Sequence, residues 1–258
     1  EFKPTAVRFR TDDARLQEVY GIAEGMLKAN EKTYNDRPVI CEGATFPNVW
    51  LETQPMGGEM YAKRNFEVGL NDILIFLQYQ RRDGRFPGMI GMAEPECDGV
   101  RAYYDWLQGY YFVLPAMKMY YLLGENKEYL KKLYHAFKDF DEYLWSTRDS
   151  DGDGCLEAWC PWDTGQDFNS RMLDFGAYDG CFGGEKAPYG IGKLPYESME
   201  IMAYSYANRA ALAEISSILN NNEAKEWREK AAAVRDKVKN YLWDNDRHAC
   251  YDHSKPSD

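Results

Sequence analysis

Residues 126–146, NKEYLKKLYHAFKDFDEYLWS, carry the clearest helical pattern of the chain. Their large apolar side chains recur at steps of three and four, with Lys, Asp and Glu between them. This spacing puts the apolar groups on one face of an α-helix and the charges on the other. We therefore expect a helix on the outside of a helical domain, packed through Leu130, Leu133, Phe137, Phe140 and Leu144.

Five further segments have a helical pattern, and they are of two kinds. Residues 11–30 and 222–243 are also apolar on one side only, whereas residues 65–80, 106–123 and 198–219 are apolar over most of their circumference. A helix that is apolar all round is buried, and a one-sided helix lies outside. The order along the chain therefore predicts pairs of one outer and one inner helix.

The connections between these helices alternate in length. Gly124-Glu125 and Asn220-Asn221 are tight turns, whereas residues 31–63, 81–105 and 147–197 form long segments. Long loops in a compact domain are usually functional. Helical hairpins of this kind predict an all-α toroid with the long segments gathered on one rim. An open α-solenoid or an irregular bundle is the alternative architecture.

Several local details of this fold can be predicted. We expect the first helix to pack through Leu16, Val19, Tyr20, Ala23, Met26 and Leu27. Pro115 should kink its helix, because proline removes a backbone donor. Gly57-Gly58 is interpreted as a turn, and residues 242–252 are expected to form a strand or hairpin.

The charge of the chain excludes two classes of partner. The 258 residues carry a formal net charge of −11, which makes nucleic acid and anionic membranes poor partners. No run reaches the roughly 18 apolar residues that a membrane span needs. With 45% apolar and 15% aromatic residues, the chain can form one substantial core. An oligomer remains possible.

The cysteine content indicates a cellular compartment, and the histidine content restricts the kinds of active site. Six scattered cysteines without CxxC pairs predict free thiols and a reducing, cytoplasmic location. Because the sequence starts at Glu1 rather than Met, a lost signal peptide stays open. Three histidines leave little material for a histidine metal site or a Ser-His-Asp triad.

Residues 155–171 concentrate side chains that suit a sugar. Tryptophan rings stack on the C–H faces of sugars, and carboxylates, amides and arginine bind their hydroxyls. A carboxyl beside tryptophan can also have a raised pKa, as a general acid needs. The ordinary alternatives are core burial for the tryptophans and helix capping for Asp167. The candidates are Trp159, Trp162, Asp163, Gln166, Asp167, Asn169 and Arg171.

Three further groups of polar and aromatic residues could line the same mouth. One follows the Gly57-Gly58 pair, one opens the helix predicted at 106–123, and Glu197 precedes the helix predicted at 198–219. A solvated surface loop is the alternative for the first group, and helix capping is the alternative for Glu197. The candidates are Trp50, Glu59, Tyr61, Arg64, Asp83, Tyr104, Asp105, Trp106, Gln108 and Glu197.

The acidic stretch Asp149-x-Asp151-x-Asp153-Gly154 is similar to the front of an EF-hand loop. Position twelve of that loop would be Cys160, so the bidentate glutamate is missing. We therefore expect a tight acidic turn. Neither a metal nor an organic cofactor is required by the predicted chemistry.

Four motifs occur in an order that resembles glycoside hydrolase family 63, over roughly residues 45–252. The central block, residues 148–154 followed by 161–171, looks like that family's "R-D-x-D-G-D-G … P-W-E-S-G-x-D-N-S-P-R-W". Residues 80–88 are similar to its "Q-x-x-D-G-x-x-P" loop, and residues 242–244 to its "L-W-D" helix end. The chain departs from the pattern at Asp163, where the family has Glu, at an inserted Phe168, and at Met172 in place of Pro.

The resemblance implies an (α/α)6 toroid and an inverting α-glycoside hydrolase with Asp167 as general acid. An oligosaccharide or small glycoside would be the substrate. The toroid has six hairpins and this chain supplies about three, so residues 1–258 are expected to be the N-terminal part of one catalytic domain. The second catalytic carboxylate would then lie outside them.

Two other classes of function stay open on the residues alone. One is a different enzyme on the same toroid, such as a sugar epimerase or an unsaturated-glycoside hydrolase, which three histidines disfavour. The other is a non-catalytic carbohydrate-binding or helical interaction module.

Overall fold

A computed structural model describes residues 7–43, 45–92, 99–166, 186–189 and 194–254. These residues contain seven α-helices and ten short strands, and the last helix continues into a π-helical turn at Val238–Leu242. The helices are α1 Ala14–Ala29, α2 Gln54–Tyr61, α3 Phe66–Gln78, α4 Val113–Leu122, α5 Lys127–Thr147, α6 Met199–Leu219 and α7 Ala224–Lys237.

The predicted helical fold class is confirmed, and all six predicted segments contain a helix. The helix at 126–146 is α5, which buries its apolar face as expected. Asn220 adopts a left-handed conformation (φ 54°) at the end of α6, and this tight turn leads into α7. The pairs α2–α3 and α6–α7 are in extensive contact, and α5 packs on α6.

The helix predicted at 106–123 begins only at Val113. Gln108 and Gly109 both have positive φ, at 53° and 62°, which breaks the helical path before it starts. The predicted kink at Pro115 is wrong, because Pro115 is the third residue of α4. Backbone N–H groups in the first turn have no helical partner, so proline removes nothing there.

The long segments form small antiparallel sheets instead of plain loops. A hairpin pairs β1 (Glu31–Tyr34) with β2 (Arg37–Ile40), and the predicted hairpin near the end pairs β8 (Trp243–Asp244) with β9 (Ala249–Cys250). Two three-stranded sheets have the orders β3–β4–β5 and β10–β7–β6. Their strands are β3 Val49–Trp50, β4 Met89–Met92, β5 Val100–Tyr103, β6 Glu157–Ala158, β7 Tyr196–Glu197 and β10 His253–Ser254.

Backbone contacts bring parts of the long segments together, and their position on one rim stays a prediction. Val49 faces Ile90, so the first sheet joins the segment at 31–63 to the one at 81–105. The Gly109 N–H donates to the Asp163 carbonyl over 3.1 Å, which links the stretch following the first sheet to residues 147–197.

Aromatic residues hold the centre of the core together. Phe86 lies 5.0 Å from Phe112, 5.3 Å from Phe140 and 5.7 Å from Tyr110, measured between ring centroids. Stacked, tilted and edge-on contacts at such distances add to the hydrophobic gain of burial. The cluster joins α4, α5 and the turn after α3.

The first helix packs less closely than its apolar pattern predicts. Leu27 contacts the small cluster around Tyr61 and Val68, but Leu16, Val19 and Met26 are 52%, 55% and 62% exposed. The expected face is therefore split, and only its Tyr20–Leu27 edge turns towards the domain.

The Gly57-Gly58 pair lies inside α2, so its interpretation as a turn is wrong. A Cβ on Gly58 would lie 2.6 Å from the Cβ of Asp72, and one on Gly69 would lie 2.3 Å from the Gly58 carbonyl. Both Gly58 and Gly69 are needed because α2 and α3 cross with their backbones nearly touching.

Asp72 is fully buried at this crossing. Its Oδ1 accepts the Ile40 N–H over 3.1 Å, and its Oδ2 has no hydrogen-bond partner among the described residues. Burial raises the pKa of Asp72 well above its ordinary value. The folded protein therefore holds a proton that the unfolded chain releases.

We expect the free energy of unfolding to fall as pH rises from about 4 towards the raised pKa of Asp72. One proton contributes at most about 1.4 kcal/mol per pH unit. Asp72→Asn should remove this part of the slope, which urea unfolding at pH 5, 6 and 7 would measure. The exposed Asp246→Asn is the control, and an unchanged slope in Asp72→Asn would show that Asp72 ionises normally.

Candidate functional site

A cavity of about 420 Å³ opens where α2, α4, α6 and the loop ending at residue 166 meet. This size suits a small ligand. Cavities of about 390 and 550 Å³ lie along the flank of α6 and α7. We assign the site to the cavity of about 420 Å³ because its wall includes Gln166, which belongs to the stretch 155–171 that was predicted to bind a sugar. Its lining is Met56, Tyr110, Tyr111, Val113, Leu114, Pro115, Gln166, Met199, Glu200, Ala203, Tyr204 and Ala207.

One wall of this cavity is polar and internally hydrogen-bonded. Gln166 Nε2 donates to Glu200 Oε1 over 3.0 Å, and Ser198 Oγ donates to Glu200 Oε2 over 3.1 Å. The Tyr204 hydroxyl donates to the Thr164 carbonyl over 2.8 Å, and the Tyr204 ring meets Tyr111 edge-on at 5.5 Å. Burial raises the pKa of Tyr204, so it stays a neutral donor.

The other walls are apolar. They come from Met56 on α2, Leu114 on α4, and Ala203 and Ala207 on α6. A carboxylate, an amide and phenols opposite apolar surface form the arrangement that sugars use, since a sugar has both hydroxyls and C–H faces. The chemistry of the cavity therefore fits a carbohydrate.

Glu52 packs between two of the loops that form the mouth. A Cβ on Gly165 would lie 2.4 Å from Glu52 Oε2, and one on Gly109 would lie 3.2 Å from the Glu52 Cβ. Both glycines have positive φ, at 70° and 62°. Glycine is thus required at both positions, where the loops that carry Glu52, Gly109 and Gly165 come together.

Asp163 is fully buried, so no surface of it is left for a substrate. Its Oδ1 accepts the Leu107 N–H over 2.8 Å. Its Oδ2 accepts Arg148 Nη1 over 2.6 Å and the N–H groups of Trp159 and Cys160 over 2.8 and 3.3 Å. Burial by itself raises the pKa of Asp163, but Arg148 and the backbone donors outweigh it and lower that pKa. The predicted role as a hydroxyl acceptor is corrected to an internal anchor.

Trp159 is also internal, as its alternative interpretation allowed. It is 1% exposed, its Nε1 donates to Glu157 Oε2 over 2.7 Å, and the guanidinium of Arg148 lies 4.1 Å from its ring centroid. These contacts occupy the ring that was predicted to be a sugar platform. Trp162 is half-buried and keeps exposed surface for stacking.

The group predicted around residues 50–65 is used mostly within the fold. Arg64 binds both carboxylate oxygens of Glu24 over 2.9 Å, and the Tyr61 hydroxyl donates to Glu31 over 2.5 Å. These two predicted ligands therefore anchor α1 and β1. Glu59 is buried, and its Oε2 lies 3.1 Å from Nζ of the exposed Lys118, so this pair joins α2 to α4.

Trp50 lies in β3 and is half-buried. Its backbone N–H donates to Gln54 Oε1 over 2.8 Å.

The group predicted around residues 83–108 does not open a helix. Asp83 forms a surface ion pair with Arg81, and the Tyr104 hydroxyl donates to the Tyr79 carbonyl. Asp105 is exposed. Tyr104 and Asp105 lie before α4 because the positive φ at Gln108 delays the helix, whereas Asp83 lies in the turn after α3.

The remaining two members of that group lie closer to the mouth. Gln108 is buried beside Gly109, and Trp106 is half-buried with its carbonyl against Gly88.

Glu197 is buried in the sheet β10–β7–β6 and is 2% exposed. It faces Glu157 across the strand pair, and His253 Nδ1 lies 3.7 Å from its Oε2. Hydrogen bonding to Glu197 raises the pKa of Tyr241. Glu197 is therefore a buried residue of this sheet and not the substrate ligand that was predicted.

Three predicted residues, Asp167, Asn169 and Arg171, lie outside the described residues. Gln166 is the last described residue before them. The acidic turn brings the carboxylates of Asp149, Asp151 and Asp153 within 4.8 Å of one another, and Lys237 Nζ lies 3.5 Å from Asp153 Oδ2. No helix among the described residues has both the length and the apolar character needed to cross a membrane.

Sequence reasoning missed Met56, Tyr111, Glu200 and Tyr204 in the cavity wall. Glu200 and Tyr204 are four residues apart, so the helical spacing of α6 could have paired them. Tyr111 follows the break at Gln108-Gly109, and no sequence signal marked that break.

The comparisons with known proteins agree with this fold. No curated protein matched the chain. An uncharacterized conserved protein from Thermus thermophilus superposes with a TM-score of 0.64 at 14% identity, covering 90% of this chain and 65% of that chain. A GH63 mannosylglycerate hydrolase from the same organism, in complex with glucose, gives 0.63 at 14%, with 90% and 66% covered. This chain thus spans about two thirds of the length of these structures.

A more distant fold match is an alpha-L-rhamnosidase from Dictyoglumus thermophilum. It superposes with a TM-score of 0.57 at 14% identity, covering 92% of this chain and 24% of that chain. The model of the mannosylglycerate hydrolase MGH1-like glycoside hydrolase domain matches residues 62–258. That match covers well over half of the sequence, and it confirms the resemblance that the motifs predicted. The chain belongs to the MGH1-like glycoside hydrolase family.

Proposed function

We propose that the protein hydrolyses α-glycosidic bonds with inversion, with Asp167 as the general acid. The observation that carries the proposal is the position of Gln166 in the cavity wall, bound to Glu200. Asp167 is the next residue along the sequence. The acid would therefore start from the edge of a cavity whose lining suits a sugar.

In this mechanism Asp167 protonates the leaving oxygen while a second carboxylate activates water on the opposite face of the sugar. The two carboxyl groups of an inverting enzyme are roughly 6.5–9.5 Å apart, which leaves room for the water. We place the base outside residues 1–258, as the family resemblance implies. Glu200 is held by Gln166 and Ser198, which favours substrate binding over water activation.

The substrate would bind between aromatic and polar groups. Tyr111 and Tyr204 offer ring faces and edges in the cavity wall, and Gln166 and Glu200 offer hydroxyl partners. Trp162, half-buried in the loop that leads to Gln166, stays a predicted stacking platform. Asn169 and Arg171 stay predicted ligands beyond them.

A small α-glycoside fits this cavity better than a polymer. One structural relative is a mannosylglycerate hydrolase, and a structure of it holds D-glycerate, so α-mannosylglycerate belongs among the first substrates to test.

The cysteines support a reducing compartment. Among the described cysteines, Cys41, Cys155, Cys160 and Cys250 form no disulfide, and the first three are buried. We place the protein in the cytoplasm on this ground. Its negative charge keeps nucleic acid and anionic membranes outside the proposed partners.

The test uses the full protein that carries this chain, with α-mannosylglycerate, alkyl α-glucosides and alkyl α-mannosides as substrates. We expect hydrolysis of at least one of them, with the β-anomer of the free sugar appearing first by ¹H NMR. An α-anomer formed first would contradict inversion. Sugar binding without any hydrolysis would favour the carbohydrate-binding module instead.

A further inference from the structure

Two loops that face the cavity meet at one buried carboxylate. Asp163 accepts the Leu107 N–H over 2.8 Å, and its own carbonyl accepts the Gly109 N–H over 3.1 Å. The same side chain accepts the Trp159 and Cys160 N–H groups over 2.8 and 3.3 Å. Asp163 therefore ties the stretch before α4 to the loop at 159–166.

A rigid support lies behind this junction. Arg148 is fully buried, donates to Asp163 Oδ2 over 2.6 Å, and lies 4.1 Å from the ring centroid of Trp159. Trp159 Nε1 in turn donates to the buried Glu157 over 2.7 Å. Arg148 Nε and Nη2 have no hydrogen-bond partner among the described residues, so Asp163 is the carboxylate that compensates this buried guanidinium. Moving Asp163 away from Arg148 would leave both charges buried without a partner, which is strongly unfavourable.

Both loops carry cavity residues within a few positions of the junction. The first loop leads from Leu107 to Tyr111, and the second leads from Asp163 to Gln166. A displacement of Asp163 would move both loops together, and with them Tyr111 and Gln166 in the cavity wall. It would also move the residue from which Asp167 follows.

We propose that Asp163, held by Arg148, is a positioning residue that sets the general-acid loop against the substrate wall. It touches no substrate and exchanges no proton during the reaction. This inference rests on the proposed glycoside hydrolysis for its kinetic consequence only. The junction itself is described by the contacts of residues 107–109 and 159–163.

The chain offers a matched control for the test. Asp141 is a second buried aspartate paired with an arginine, since Arg209 Nε and Nη2 donate to its two oxygens over 2.7 and 3.1 Å. That pair joins α5 to α6, and none of its side-chain hydrogen bonds among the described residues reaches residues 107–111 or 159–166. Asp163→Asn and Asp141→Asn thus remove similar buried ion pairs in two different places.

Both variants should lower the melting temperature, but only Asp163→Asn should lower kcat per folded molecule. A misplacement of about 1 Å can reduce turnover on the order of 10²-fold. The loss in Asp163→Asn should be the same for alkyl and nitrophenyl glycosides, and the limbs of its pH profile should not move. Hydrogen exchange should speed up at the amides of Leu107 and Gly109, and it should stay unchanged there in Asp141→Asn.

Each other outcome overturns a defined part of the proposal. Equal kcat in the two variants, with unchanged exchange at Leu107, would reduce Asp163 to a stabilising residue. A loss confined to alkyl glycosides would make Asp163 a proton donor. If wild-type protein hydrolyses no glycoside, the proposed function fails, and hydrogen exchange still decides whether Asp163 holds the loops.

A second substitution keeps the test available if Asp163→Asn does not fold. Arg148→Lys keeps the positive charge but loses the planar guanidinium over Trp159. We expect the same faster exchange at Leu107 and Gly109 and the same loss for both leaving groups.

Discussion

Replacing Asp167 by Asn in the full protein should lower kcat on an alkyl α-glycoside by about 10²–10⁴-fold, with the fold and sugar binding retained. Proton donation by a positioned acid is typically worth this much, and more when the leaving group is poor. The asparagine amide has nearly the same shape, but it has no proton to give to the leaving oxygen. Steady-state kinetics with purified protein would measure the loss.

The leaving group separates proton donation from positioning. A nitrophenyl glycoside needs less protonation, so the loss in Asp167→Asn should shrink on that substrate. Asp246→Asn, an exposed aspartate in the β8–β9 turn, is the control and should behave like wild type. Equal losses on both substrates would make Asp167 a positioning residue. Near-normal turnover on the alkyl glycoside would remove Asp167 from the mechanism.

The helices could be predicted because each has one simple physical pattern. Steps of three and four at 126–146 determine which face of α5 is buried, and no distant contact is needed to see this. Residues 106–112 could not be predicted in the same way. They are apolar and aromatic like a helix, but positive φ at Gln108 and Gly109 serves the contact with Asp163, which lies more than 50 residues further on.

The site was predicted in its location better than in its members. The loop at 155–171 does border the cavity through Gln166, but Trp159 and Asp163 point into the protein. The sequence alone does not distinguish a tryptophan or aspartate that binds a sugar from one that supports the sugar-binding loop from behind. Only the position of Arg148, which stacks on one and pairs with the other, distinguishes the two cases.

Two glycines near the site have packing roles that local reasoning did not detect. Gly57-Gly58 looks like a turn, but Gly58 lets α2 approach Asp72 on α3. Gly165 lies in a loop, where glycine is common, and it also makes room for the side chain of Glu52. In both places the glycine is required by a neighbour distant in sequence, so its meaning depends on the fold.

Arg209→Met should destabilise the protein by about 3–5 kcal/mol at neutral pH. Arg209 binds both oxygens of Asp141 and lies 4.1 Å from the ring centroid of Trp145. Removing one partner of a buried pair leaves the other charge without compensation, which is the costly case. For a domain of this size, the melting temperature should fall by about 6–20 °C.

The pH dependence of this loss follows from the aspartate that remains. Burial already raises the pKa of Asp141 in the presence of Arg209, and loss of the guanidinium should raise it further. A raised folded pKa favours the protonated carboxyl, so the variant regains stability as pH falls towards the ordinary range of aspartate. The difference in free energy of unfolding between wild type and variant should therefore be smaller at pH 5 than at pH 7, which urea unfolding at the two pH values would measure.

The exposed pair Lys225–Glu229 provides the control for this prediction. Its side chains are 87% and 68% exposed and 3.8 Å apart, so Lys225→Met should leave the melting temperature nearly unchanged. If Arg209→Met behaved like Lys225→Met, the contact between α5 and α6 would be held by its apolar groups alone. A gap that widened at low pH would instead mean that Asp141 stays ionised in the variant, and the argument from burial would be wrong.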